Sequence, residues 1–211
     1  MSTHAKAAAK FLADRERAAW HDRALYHVRE KRDRMAHAVP EWEALRQAAS
    51  EIKLHTLSHL GRYLEEFERN ATANGMVVHW ASDAREMNRI VLDILRRHGG
   101  RTLIKSKSML SEECGLAPFL AGQGIDAVES DLGERIMQLM HRPPSHIVLP
   151  AIHVRREEVG ELFERELGTA RGDSDPTYLT HEARKHLRGK FLTADVAMTG
   201  EWEKNLARIE R

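Results

Sequence analysis

A chain of 211 residues with 33 basic and 32 acidic side chains carries a formal net charge of +1, which excludes the clear basic excess that nucleic-acid and anionic-membrane binders present to phosphate. Charged residues make up 31% and hydrophobic residues 42%, the composition of a soluble folded domain rather than a disordered chain. The longest apolar runs fall well short of the roughly 20 residues that cross a bilayer, so neither a nucleic-acid partner nor a membrane span is expected.

Met1 to Lys10 is polar and alanine-rich and lacks the apolar core of a secretory signal, which points to the cytoplasm. Helix is predicted through residues 1–74. Its first part, Ala5 to Ala38, carries sparse apolar residues, among them Phe11, Trp20, Leu25 and Met35. Pro40 marks a break and can open the next helix at its first position. That helix has a clearer stripe, Trp42, Leu45, Ala49, Ile52, Leu57, Leu60, Leu64 and Phe67, at spacings of three and four. Asn74-Gly75 ends it, with glycine a natural C-cap.

From Gly75 short apolar runs alternate with amphipathic helices. Met76 to Ala81 is predicted as the first strand, followed by a helix capped at Ser82-Asp83 with Met87, Ile90, Val91, Ile94 and Leu95 on its apolar face. Thr102 to Lys105 is the second strand, and a helix from about Ser111 breaks near Pro118. Ile125 to Glu129 is the third strand, with a helix over Gly133 to Met140. Ser145 to Ala151 is the fourth, and its helix carries Val159, Leu162, Phe163 and Leu167. Thr169 to Pro176 forms a loop before a last helix, Leu179 to Ala194. Strand–helix units in series imply an α/β fold: a mostly parallel sheet with helices on both faces, preceded by the long helical region. The chain therefore divides into a helical arm over 1–74, an α/β domain over 75–200 and a helical tail over 201–211.

Ligands of such folds bind at the carboxyl ends of the strands. The loop after the second strand, Lys105-Ser106-Lys107-Ser108, enters a helix and can hold an anion with lysines, hydroxyls and the helix dipole. The bland alternative is a solvated turn capped by Ser111. After the third strand, Asp131 and Glu134 flank Gly133. They form either a carboxylate pair for proton or cation work or an N-cap with its capping-box acid. After the fourth strand, His153 stands where it can donate to substrate or relay a proton, though a structural histidine is the commoner reading. His55 and His59, four apart on a helix, have the spacing of metal ligands but no third ligand nearby. Cys114, the single cysteine, follows two acids and reads as a packing residue. One cysteine cannot hold an iron–sulfur cluster or a cysteine-rich zinc site, so no cofactor is expected in this chain itself.

Taken in order, Lys105-Ser106-Lys107-Ser108-Met109 with Glu112-Glu113, Glu129-Ser130-Asp131-Leu132-Gly133-Glu134 with Ile136 and Gln138, and Pro144-Ser145-His146-Ile147 with Pro150-Ala151 and His153 resemble the LUD domain, the shared domain of lactate-utilisation proteins B and C. The long helical N-terminus is more similar to the B type. The resemblance covers about residues 20–200. It implies a fold similar to the ribose-phosphate isomerase and CoA-transferase group, and membership of a multi-subunit system that oxidises L-lactate to pyruvate. It also implies 4Fe-4S clusters held by cysteine motifs that follow the LUD domain in the full-length B form. In the family, a segment like Ala194 to Gly200 leads into a further strand and a turn at the ligand cleft. Here Glu201 to Arg211 is helical in character, with Trp202, Leu206 and Ile209 at helical spacing, so the chain reads as truncated before the cysteine motifs. An open sheet edge would favour self-association into a homo-oligomer. The other subunits of the lactate-utilisation complex are the expected partners. Two further readings stand beside this one. One is a small-molecule enzyme of the same fold acting on a phosphorylated or CoA-linked substrate. The other is a non-catalytic remnant.

Overall fold

The computed structural model describes residues 3–199, and the predicted tail over 201–211 lies outside them. The chain divides into two units between His79 and Trp80.

The first unit is helical: α1 (Thr3–Ala13), α2 (Arg15–His37), α3 (Trp42–Ser58) and α4 (Leu60–Ala73). Two breaks were not legible as such in the sequence. Asp14 ends one helix and caps the next, accepting from the backbone N–H of Arg17. Ahead of His59, Thr56 Oγ1 and Ser58 Oγ donate to the carbonyls of Ile52 and Leu54. Such back-bonding loosens a helix, and His59 leaves the helical conformation. The apolar stripe of α3 and α4 stays largely at the surface: Ile52, Leu54 and Leu57 are each about two-thirds exposed.

The second unit is built on β1 (Thr102–Lys105), β2 (Asp126–Glu129) and β3 (Val196–Met198), in the order β2-β1-β3 and all parallel. Around them lie α5 (Ala84–Arg97), α6 (Met109–Glu113), α7 (Leu116–Ala121), α8 (Leu132–Leu139), α9 (Arg156–Leu167) and α10 (Pro176–Thr193). The α/β class with a parallel sheet is therefore as expected. Leu103 and Ala127 join Leu92, Leu95, Leu116, Leu120 and Ile125 in one core cluster, while their strand neighbours Ile104 and Val128 are buried on the opposite face. Burial on both faces is what parallel strands require. A second cluster, Ile136, Leu162, Phe163, Leu179 and Ala183, fastens α8, α9 and α10 together. Each of its isoleucine, leucine and phenylalanine side chains contributes about 1.5–3 kcal/mol on burial.

Two predicted strands are absent. Met76 to Ala81 joins no sheet among the described residues, and Met76, Val77 and Trp80 are more than half exposed. Ser145 to Ala151 is a turn. The Ser145 N–H donates to the Pro150 carbonyl, and the backbone N–H groups of Val148 and Leu149 donate to His146 Nδ1. These local bonds consume the donors a ladder would need, and Pro150 has none to give. Conversely Val196–Met198, not predicted as a strand, pairs along β1. Asp195 fixes its start by accepting from the backbone N–H groups of Arg101 and Thr102 and from Thr102 Oγ1. The predicted break near Pro118 falls instead at Gly115, whose φ of +63° favours glycine. Pro118 sits in the first turn of α7, where a missing N–H is harmless. Among the described residues no helix is long and apolar enough to cross a membrane.

Candidate functional site

The parallel register pairs Lys105 with Glu129, the last residues of β1 and β2. By strand parity both point to the same side as Leu103 and Ala127. Lys105 Nζ donates to both carboxylate oxygens of Glu129, at 2.7 and 2.6 Å, and both side chains are buried. Two charges removed from water are tolerable only when each answers the other this closely. Gln138 of α8 completes the arrangement. It accepts from the Glu129 backbone N–H at 3.2 Å and donates to the Ala127 carbonyl at 2.6 Å, so one amide satisfies the free edge of β2.

The loops beyond the strands turn into helices by capping. Ser108 accepts from the Ser111 N–H at the start of α6, and Asp131 accepts from the Glu134 N–H at the start of α8. These caps bring Glu112 and Glu134 to the mouth of the sheet. Glu134 is only 3% exposed, and with the carboxylates ionised neither of its oxygens has a hydrogen-bond donor. The Lys107 ammonium stands 3.8 Å from Oε1 and donates instead to the Val148 carbonyl at 3.2 Å. Burial and the neighbouring Glu134 push the Glu112 carboxyl up to about 7. Burial and Glu129 raise that of Glu134, against a hydrogen bond from Glu112. Three carboxylates thus crowd about Lys105, and burial with the neighbouring carboxylates favours the protonated forms of Glu112 and Glu134.

These groups line a cavity of about 550 Å³ at the carboxyl ends of β1 and β2, walled on its apolar side by Met109, Ala117, Pro118 and Met137. Of the residues singled out from the sequence, Lys105 and Glu134 line it and Lys107 reaches Glu134. Ser108 and Asp131 act as caps. Ser106 donates its N–H to the Met198 carbonyl beside β3. At Gly133 a Cβ would stand 3.1 Å from the Pro150 ring, so this glycine lets the 145–151 turn approach α8. His153 lies away from the cavity lining, with Nδ1 2.6 Å from Ser145 Oγ. Glu112, Glu129 and Gln138 were not singled out as site residues. The signal that could have found Glu129 is its place at the end of a strand, level with Lys105 across a parallel pair. Among the described residues no group of three or more His, Cys, Asp and Glu side chains forms a metal set. Cys114 is half-buried, and its carbonyl accepts from Asn88 Nδ2.

A match to the model of the LUD domain runs from residue 64 to 201 and takes in every residue of this cleft. The chain belongs to the LUD domain family. The chain is 42% identical over 173 residues to lactate utilization protein B of an Exiguobacterium species, covering 82% of this chain and 36% of that protein. It is 37% identical over 174 residues to lactate utilization protein B of Bacillus subtilis, with the same coverage. An uncharacterized electron transport protein of Escherichia coli, YkgF, is 37% identical over 169 residues, 80% of this chain and 35% of its own length. The chain thus spans about a third of the length of these relatives. No solved structure matches it significantly.

Proposed function

We propose that this chain is the LUD-domain portion of an iron–sulfur electron-transfer subunit that works, with the other subunits of a lactate-utilisation system, in the oxidation of L-lactate to pyruvate. The observation that carries the reading is the 42% identity over 82% of the chain to a lactate utilization protein B. The electron-transport name of the Escherichia coli relative supports it. The residues of this chain do not fit a cluster, since Cys114 is the sole cysteine and a cubane takes four thiolates. No electron-transfer step is therefore drawn through it.

Its contribution is the cleft. There the lining carries Glu112, Glu113, Glu129 and Glu134 beside Lys105 and Arg142, and Lys105 is already held by Glu129. Deletion of the gene should abolish growth on L-lactate as sole carbon source and leave growth on glucose intact. Undiminished growth on L-lactate would overturn the proposal.

A further inference from the structure

The helical unit lacks a core of its own. Among its described residues Ala71 alone is buried, while the apolar stripe of α3 and α4 faces solvent, from 37% exposed at Leu64 to 67% at Leu57. Helices draw most of their stability from a packed apolar face, so this stripe calls for a cover. It exposes on the order of several hundred Å², the scale that each partner brings to a standard interface, about 800 Å².

The pattern of the stripe indicates what covers it. Trp42, Leu45, Ala49 and Ile52 follow one another at steps of three, four and three, and Leu57, Leu60, Leu64 and Phe67 repeat the same steps. Read backwards, the whole stripe is unchanged. A two-fold axis across the helices needs such a palindrome, because each position must meet its own mirror position in the other copy. Trp42 then lies level with Phe67 of the second copy and Ile52 with Leu57. Charge follows the same symmetry. Arg46 and Lys53 come directly after Leu45 and Ile52, and Glu65 and Glu68 directly after Leu64 and Phe67, so all four border the stripe on the same flank. In an antiparallel pair like flanks face each other, which lays the two cations along the two acids. A parallel pair would turn the cations toward Ala48 and His55 instead. Within one chain Arg46 donates to the exposed Glu43 at 2.7 Å, a surface pair that is easily exchanged. His59 interrupts the two helices, and His55 Nε2 reaches the Tyr63 hydroxyl across the break at 2.9 Å, tying the halves of the stripe together.

We propose that two copies of this chain associate through an antiparallel two-fold pairing of their α3–α4 stripes. The proposal rests on the helical unit and not on the part played in lactate oxidation. Sedimentation velocity of the whole chain should show a dimer at micromolar concentration. Ile52→Glu and Leu64→Glu, which place a charge inside the apolar seam, should each weaken it at least about tenfold, and Leu192→Glu on the exposed side of α10 should leave it unchanged. Because a glutamate can also loosen an unpaired helix, a charge exchange supplies the second readout. Arg46→Glu should weaken the dimer several-fold, and Glu68→Arg added in the same chain should restore it. A monomer, the stripe then being covered by something other than a second copy, would overturn the proposal. So would a dimer indifferent to Ile52→Glu and Leu64→Glu, as one formed through the sheet edge would be, or a charge exchange that restores nothing.

Discussion

At the scale of single residues the cleft is governed by one buried ion pair and by carboxyls that burial pushes toward their protonated form. Lys105→Met leaves Glu129 charged and unanswered, and should destabilise the chain by about 3–5 kcal/mol. Lys105→Met combined with Glu129→Leu should recover most of that loss, because an apolar pair of similar volume replaces a buried ion pair at little cost. Urea unfolding of the three variants measures both. The Glu112 carboxyl titrates higher in the folded chain than its ordinary value of 4.5, near 7, so the folded state binds more protons across that window and stability falls as pH rises through it. Glu112→Gln should therefore raise the melting temperature at pH 8 and change it little at pH 4.5. An equal effect at both pH values would contradict the crowding of carboxylates. The sequence makes Lys105 and Glu134 visible as candidates but leaves Lys105 free to meet an anion. It cannot show that β1 and β2 are neighbours in register, and that adjacency is what turns Lys105 toward Glu129.

At the scale of elements, signals carried by local chemistry were legible and those carried by pairing were not. Asp83 and Asp131 read as caps because an acid before an apolar-periodic run has one obvious use, and both accept the expected N–H. Met76 to Ala81 and Ser145 to Ala151 have strand-like composition, but a strand exists only with a partner edge, and no apolar run states whether one is available. Val196–Met198 is the reverse case: three residues gain strand structure because Asp195 anchors them beside β1. A packing constraint of the same non-local kind sits in α9. A Cβ on Gly160 would stand 2.6 Å from the Asp173 carbonyl in the loop before α10. Gly160→Ala should cost about 1–3 kcal/mol through overpacking, despite alanine's better helix propensity. Thermal unfolding that shows stabilisation would contradict the close approach of α9 to that loop.

At the scale of the whole molecule, the division between His79 and Trp80 lies inside the family match, which begins at residue 64 in α4. The connecting segment 76–81 takes no helix or strand structure and is largely exposed, with Trp80 half open to solvent. Limited chymotrypsin treatment should cut there early, leaving a fragment with the parallel sheet intact by circular dichroism. Initial cleavage within α5 or α9 would argue against the two-unit organisation. The central claim joins the cleft to lactate utilisation. Its most direct test is growth of the deletion strain on L-lactate when complemented with the intact gene or with a soluble Glu134→Gln variant. The account predicts that the intact gene restores growth and the variant does not, while both grow equally on glucose. Full restoration by Glu134→Gln would contradict it, because the carboxylate that defines the cleft would then have no part in what the subunit does.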